Sequence, residues 1–156
     1  MTPLERVVFD CNIFFQALIS PAGPAGRALE AAADGRCTLF VAEFVLDELR
    51  DVTSRPPIVS RFNFTEERVA LFLESLVATV RMIVDVPHVF DFPRDPKDAR
   101  YVDLAVAVRA KLIVSRDLDL LSLGDQQTVE GRSFLARFPN LQILTPTQLL
   151  DLLEVA

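Results

Sequence analysis

Five acidic residues of this chain stand at predicted strand ends or in predicted helices: Asp10, Glu48, Asp98, Asp117 and Asp119. They are far apart in sequence, yet an alternating α/β fold would bring them to one edge of a sheet, where parallel sheets place their working sites. Carboxylates that lie so close repel one another unless a cation stands between them. The sequence therefore predicts a divalent-metal site.

Each acid taken alone has a simpler explanation. Asp10 could cap the helix that begins near Asn12. Asp98 falls in the first turn of its helix, where an acid complements the free N–H groups. Asp117 or Asp119 could likewise cap a turn. The joint occurrence of these acids, and not any single one, favours a metal cluster.

Glu48 is the acid that local structure explains least well. It lies three or four residues from Phe44, Val45 and Val52, on or beside the apolar face of its predicted helix. A buried carboxylate is strongly destabilising unless a cation or hydrogen-bond donors accompany it. We therefore expect either a metal ion or a salt bridge to an arginine at this position.

The elements that must position these acids alternate along the chain. Strands are predicted at residues 6–10, 37–41, 81–86, 111–115 and 140–144. Helices are predicted at residues 12–19, 26–34, 43–53, 65–80, 96–110 and 146–154, with a helical turn opening at 117–119. Strands separated by helices favour a parallel sheet with right-handed crossovers. The fold class is therefore α/β, with a parallel sheet of about five strands.

Composition limits the function classes. A chain of 156 residues with 51% hydrophobic and 24% charged residues has the length for one well-buried core. No apolar run approaches the roughly 20 residues that span a bilayer, and no secretory signal is visible. Cys11 and Cys37 lack any ligand spacing, so we expect reduced thiols and a cytoplasmic location.

The charge of the chain leaves the class of partner open. Its net charge of −6 makes it a poor general binder of polyanions. The charge does not exclude a nucleic-acid enzyme, since clustered acids could hold the cations that contact phosphates.

Several segments resemble the motifs of PIN-domain nucleases. Residues 7–13, V-V-F-D-C-N-I, resemble the opening D-T-N motif, and residues 44–49, F-V-L-D-E-L, resemble the second motif with Glu48 as its acid. Residues 95–98 and 112–121 resemble the third and fourth acids and the V-T-x-D-x-D-L-L signature. The insertion S-P-A-G-P at 20–24 is typical of a bacterial toxin-like (VapC-like) branch. Cys11 and Ser115 replace the usual threonines, and Ser115 keeps a hydroxyl that can orient a carboxylate.

The resemblance implies a single PIN-like (Rossmann-like) domain over residues 1–156, with a three-layer α/β/α architecture. It implies a metal-dependent ribonuclease that hydrolyses RNA phosphodiester bonds with Mg²⁺ or Mn²⁺, as the toxin of a toxin–antitoxin pair. An antitoxin protein would be its partner, and the chain would form a homodimer. The mean hydropathy of +0.31 agrees with a covered apolar surface, although a large core is the alternative explanation.

The resemblance also implies roles for individual residues. Asp10, Asp98 and Asp117 would be the principal metal ligands, and Glu48 would bind the metal directly or through water. The other site residues implied in this way are Asp119 and Asp103 for a second ion or the outer shell, and Asn12 and Ser115 as orienting residues. Arg100 and Arg116 are basic residues beside the predicted site, and we expect them to hold the RNA backbone. Asp103 lies about 140° round the helix from Asp98, and Arg116 could instead form a salt bridge to one of the acids.

Other functions fit the residues less well. A haloacid-dehalogenase-type phosphatase needs a second aspartate where this chain has Asn12, and a phospho-receiver needs a lysine after its last strand. A PIN-like module that binds RNA or protein without cleaving remains the alternative. Tyr101 and the pair Phe62 and Phe64 could stack on bases, but packing is the default for aromatic residues in a small core. A catalytic role for His88 is not expected.

Overall fold

The computed structural model describes residues 3–155 and contains a five-stranded, all-parallel sheet. The strands in chain order are β1 Arg6–Phe9, β2 Thr38–Ala42, β3 Arg81–Ile83, β4 Leu112–Val114 and β5 Gln142–Leu144. Their order across the sheet is β3-β2-β1-β4-β5. The predicted α/β class and the sheet of about five parallel strands are confirmed.

Helices flank the sheet in a three-layer α/β/α arrangement. The helices are α1 Cys11–Ile19, α2 Pro24–Ala33, α3 Glu43–Ser54, α4 Pro56–Phe62, α5 Glu66–Thr79, α6 Pro96–Ala107, α7 Leu118–Ser122, α8 Val129–Arg137 and α9 Pro146–Val155. None of the helices in residues 3–155 combines the length and the apolar character that a membrane span requires.

The central strands are covered on both faces. Val7, Val8 and Phe9 of β1 have no exposed surface, and neither do Ile113 and Val114 of β4. Such continuous apolar runs are typical of parallel strands that lie between two helical layers. Because β1 and β4 pair in register from Val7 to Phe9, their carboxyl ends stop at the same level. This register places the residues after Phe9 and after Val114 side by side.

Two helices differ from the sequence-based expectation, which contains neither. The prolines at 56 and 57 are expected to break the chain, but they start α4. Proline is tolerated there because N–H groups in the first turn have no acceptor within the helix, so the missing N–H costs no hydrogen bond. Asn63, with a φ of 54°, ends this helix in the left-handed conformation. Thr128 caps the start of helix α8, and its side chain accepts a hydrogen bond from the Gly131 N–H.

Two predicted elements end three residues earlier than expected. The third strand ends at Ile83 and not at residue 86, because β3 is an edge strand with one neighbour and an exposed Met82. Helix α6 ends at Ala107 and not near residue 110, since Arg109 adopts the left-handed conformation with a φ of 57°. The residues between β3 and α6 form an irregular connection that leads to the first turn of α6.

Candidate metal centre

Asp10 links β1 to α1 and is almost fully buried, with 4% of its surface exposed. Its Oδ1 accepts a hydrogen bond from the Ile13 N–H at 3.1 Å, as a helix cap does, and its Oδ2 accepts one from the Ser115 hydroxyl. Burial raises the pKa of Asp10 to about 6; the Ser115 hydrogen bond opposes this rise, and the Asp117 charge adds to it. Asp10 is therefore both a helix cap and a buried acid whose charge is disfavoured at a strand end.

Ser115 joins two of the acids. It follows β4, is fully buried, and donates its hydroxyl proton to Asp10. Its oxygen accepts a hydrogen bond from the Asp117 N–H at 2.9 Å. The hydroxyl therefore links Asp10 to the turn that carries Asp117.

Asp98 carries the clearest sign of a missing partner. It lies in the first turn of α6 with 7% of its surface exposed, and its Oδ2 is buried without a hydrogen-bond donor among the described residues. Burial raises the pKa of Asp98 to about 7, and the charges of Asp117, Asp95, Asp10 and Asp119 contribute to the rise. A buried oxygen in this position is stabilised by a proton or by a cation.

Three carboxylates converge at this point. One oxygen each from Asp95, Asp98 and Asp117 lies within 4.8 Å of the other two. Asp117 caps α7 through hydrogen bonds from the N–H groups of Asp119 and Leu120. Asp95 caps α6 by accepting from the N–H groups of residues 97 and 98.

Asp95 is a member of the acidic group that the sequence-based prediction lacks. From the sequence, Asp95 is expected only to cap the helix that begins at Pro96, because Asp is a favoured N-cap and Pro a favoured first residue. The sequence feature that could have placed Asp95 in the acidic group is its position three residues before Asp98, since residues at this spacing lie on one side of a helical turn.

Glu48 has a tyrosine as its partner. The half-buried Glu48 accepts a hydrogen bond at its Oε2 from the Tyr101 hydroxyl at 2.8 Å, and that hydroxyl accepts one from the Cys11 N–H at 3.0 Å. Within the described chain, Glu48 forms no salt bridge to an arginine. Tyr101 is only 3% exposed and packs edge-on against Phe44, so its ring is part of the core.

Asn12 and Asp119 are less firmly held than the buried acids. Asn12 is exposed in the first turn of α1, and its side chain makes no hydrogen bond to the residues that the structure describes. Asp119 is half-buried and lies 3.7 Å from the Arg94 guanidinium, which also bonds Glu130 at 2.8 Å. Asp119 borders the acidic group through its N–H, which donates to Asp117, and Asn12 borders it as the second residue after Asp10.

Asp103 does not join the acids. Its Oδ1 accepts hydrogen bonds from the N–H groups of Val89 and Phe90, both at 2.9 Å, and its Oδ2 lies 2.9 Å from His88 Nδ1. The rotation round α6 that separates it from Asp98 directs its side chain to the connection after β3. Asp103 therefore holds this connection in place, which differs from the predicted outer-shell role.

Two exposed arginines lie near the acids. The Arg100 guanidinium stacks 4.0 Å from the centre of the Phe44 ring, and Arg100, Phe44, Lys97 and Glu48 line a cleft of about 320 Å³ together with Asp47. Arg116 Nη1 donates a hydrogen bond to Gln16 Oε1 at 2.5 Å. Among residues 3–155, Arg116 has no acid within salt-bridge distance, so the alternative salt bridge does not form.

The acidic group fits a hard divalent cation. Its ligand atoms are carboxylate oxygens, which Mg²⁺ and Mn²⁺ prefer. The orphaned Asp98 Oδ2 and the raised pKa values of Asp10 and Asp98 both indicate negative charge that lacks its positive partner.

Known proteins resemble this chain at the level of family, sequence and structure. A family model described as "PIN domain" matches residues 6–119. An uncharacterized protein of Methanocaldococcus jannaschii is 26% identical over 149 residues, which cover 96% of this chain and 92% of that protein. The structure of VapBC2 from Rickettsia felis, bound to a DNA fragment from its promoter, contains a chain with the same fold. The match has a TM-score of 0.55 and 15% identity, and covers 90% of this chain and 98% of that one.

Proposed function

The chain belongs to the PIN-domain family, and on this premise we propose that it is a metal-dependent ribonuclease that hydrolyses RNA phosphodiester bonds. One observation carries the proposal. Oxygens of Asp95, Asp98 and Asp117 lie within 4.8 Å of one another, and the buried Asp98 Oδ2 has no donor in the described chain. These acids are suited to hold Mg²⁺ or Mn²⁺.

The residues divide the work as follows. Asp10, Asp98 and Asp117 would hold the cation, Glu48 would bind it directly or through water, and Asp119 would serve a second ion. Asp95 adds a fourth carboxylate to the first three. Ser115 holds Asp10 and the turn that carries Asp117 in position. Asn12, two residues after Asp10, is exposed to solvent. A divalent cation held there would activate water for attack on phosphorus and stabilise the leaving oxygen.

A cleavage assay tests the proposal. We expect the purified protein to cut single-stranded RNA with Mn²⁺ or Mg²⁺ and to stop when EDTA removes the cation. The alternative, a PIN-like module that binds RNA or protein without cleaving, predicts intact RNA at every cation concentration. Intact RNA together with a measurable RNA affinity would select that alternative.

Arg116 is expected to bind the RNA backbone, with Arg100 in the same role. Replacing Arg116 by Ala should weaken RNA binding for all sequences alike and lower the slope of log affinity against log salt by about 1. The measurement is fluorescence anisotropy with labelled RNA over a salt series. Arg27→Ala, which removes an exposed arginine from α2, is the matched control. An Arg116→Ala protein with the affinity and slope of the wild type would leave only the hydrogen bond to Gln16.

We further propose that the chain is a toxin of the VapC-like kind, that it acts in the cytoplasm and that an antitoxin protein binds it. The PIN family and the shared fold with a chain of the VapBC2 structure support this proposal. A tagged chain should co-purify with the product of a short neighbouring reading frame, and the complex should cleave RNA more slowly than the free protein. Undiminished RNA cleavage in the presence of the product of every neighbouring reading frame would argue against a toxin.

Exposed apolar side chains support a homodimer. Helix α5 buries only Leu76 and exposes 59% of Leu71 and 47% of Val77, and the segment after it exposes 43% of Met82 and 84% of Val84. A second copy would remove these side chains from water. Light scattering at micromolar concentration should give about twice the monomer mass. A mass near 17.4 kDa would contradict the dimer.

A further inference from the structure

We propose that Tyr101 is a positioning residue of the metal centre, whose hydroxyl holds the Glu48 carboxylate against the start of α1, next to Asp10. The inference rests on the proposed metal site and adds a residue that is neither an acid nor a base. It concerns how Glu48 is oriented, which the acidic residues themselves do not explain.

The hydrogen bonds define the direction of the hydroxyl proton. The Cys11 N–H donates to the Tyr101 oxygen at 3.0 Å, and an amide N–H cannot accept in return. The single hydroxyl proton is therefore given to Glu48 Oε2, 2.8 Å away. Within the described chain, Oε1 of Glu48 has no hydrogen-bond donor, so it is the oxygen left for a cation or its water.

The tyrosine itself is rigid. Its ring is 3% exposed and packs edge-on against Phe44, with 5.5 Å between ring centres. Tyr101 stands three residues after Asp98 on α6, so one helix carries both a proposed ligand and the residue that orients another. Residues that orient metal ligands in this way affect metal affinity strongly.

The hydroxyl also has a purely structural contact. Cys11 is the first residue of α1, where backbone N–H groups lack partners inside the helix. Cys11 is buried, so loss of the hydroxyl leaves its N–H without this acceptor and lowers stability. The experiment must therefore separate an effect on Glu48 from an effect on the start of α1.

Mn²⁺ binding to the full-length protein, measured by calorimetry without RNA, provides this separation. Tyr101→Phe removes only the hydroxyl, and we expect it to weaken Mn²⁺ binding about 10- to 100-fold. In a Glu48→Gln background the same change should alter Mn²⁺ affinity less than about twofold, because Tyr101 acts through the carboxylate that is then absent.

Thr53→Val is the matched control for losing a buried hydroxyl. Thr53 lies on α3, the helix of Glu48, is 3% exposed, and donates its hydroxyl to the Leu49 carbonyl at 2.8 Å. We expect this variant to lower the melting temperature as Tyr101→Phe does while keeping wild-type Mn²⁺ affinity. Glu48→Asp keeps the negative charge but shortens the side chain, so the carboxylate no longer reaches the Tyr101 hydroxyl. We expect this variant to lose Mn²⁺ affinity with little loss of stability.

The outcomes separate this inference from the proposed function. Mn²⁺ binding that needs the hydroxyl only when Glu48 is present supports the inference, even if the wild-type protein cuts no RNA and the proposed function fails. Equal losses in the wild-type and Glu48→Gln backgrounds would overturn it, since Tyr101 would then act through α1 alone. Unchanged Mn²⁺ affinity in Tyr101→Phe, or no Mn²⁺ binding by the wild type, would overturn it as well.

Discussion

An Asp10→Asn variant is expected to lose metal-dependent RNA cleavage by at least about 100-fold while keeping its fold. Removing a residue that orients a metal ligand typically lowers metal affinity or activity about 10- to 100-fold. Removing a direct ligand should lower activity by at least the upper end of that range. The amide oxygen of Asn can still accept from the Ile13 N–H, and its amide group can donate to the Ser115 oxygen. The variant therefore removes a charge and leaves the volume and the helix cap.

Cleavage of single-stranded RNA at saturating Mn²⁺, with melting curves of the same samples, measures this loss. Asp34→Asn is the matched control, because Asp34 is an exposed acid at the end of α2. We expect the control to cleave like the wild type. Wild-type activity in Asp10→Asn would remove Asp10 from the site and with it the β1 end of the proposed centre.

An Asp98→Asn variant is expected to stabilise the metal-free protein at about pH 8 by on the order of 1–3 kcal/mol. The pKa of Asp98 in the folded protein is about 7, against 3.8 for the ordinary side chain. Between these values the folded state binds more protons than the unfolded state, so stability falls as pH rises through this window. Asn carries no charge, so the variant should lose this part of the pH dependence.

Chemical denaturation at about pH 5 and about pH 8, with and without Mn²⁺, measures the effect. The wild type should be less stable at the higher pH than the Asp98→Asn variant, and the two should converge toward the lower pH. Mn²⁺ should stabilise the wild type at the higher pH by mass action, by about 2.7 kcal/mol at a concentration about 100 times the dissociation constant. The variant should gain much less. Parallel pH curves for the two proteins would show that Asp98 bears no unfavourable charge.

Other groups contribute to the pH dependence with the same sign. Burial raises the pKa of Asp10 to about 6, so its contribution to stability is also lost with rising pH. Hydrogen bonds to Asp103 and Asp91 raise the pKa of His88, and the stability gained there is present below the ordinary value of 6.5 and lost above the folded value. For this reason the difference between the wild type and Asp98→Asn, and not the wild-type curve alone, identifies the contribution of Asp98.

Much of the site follows from local pattern. Asp10 comes directly after an apolar run, and Ser115 and Asp117 come directly after another. Runs of that kind are parallel strands buried on both faces, and parallel strands end at one edge of a sheet. The register of β1 with β4 then brings Asp10 within hydrogen-bonding distance of Ser115, although 105 positions separate them.

The partners that each site carboxylate contacts cannot be predicted from local sequence pattern in the same way. The sequence predicts a metal ion or an arginine beside Glu48, and its partner in the described chain is Tyr101, 53 positions away. Asp103 is predicted for a second ion or the outer shell, and in the structure its carboxylate accepts hydrogen bonds from the connection after β3. Asp95 is predicted only as a helix cap, yet it shares one small volume with Asp98 and Asp117.

The sequence by itself determined the alternation of strands and helices, the parallel sheet and the acids that end its strands, because these depend on residue type and on spacing over a few positions. The tertiary structure decided which donor each carboxylate meets and which carboxylate oxygen meets none. These features depend on how α3 packs against α1 and how α6 packs against β1. That packing is a sum over many distant side chains. Two residues on one helix, Asp98 and Asp103, differ in role only because one side of α6 approaches the acids and another approaches the connection after β3.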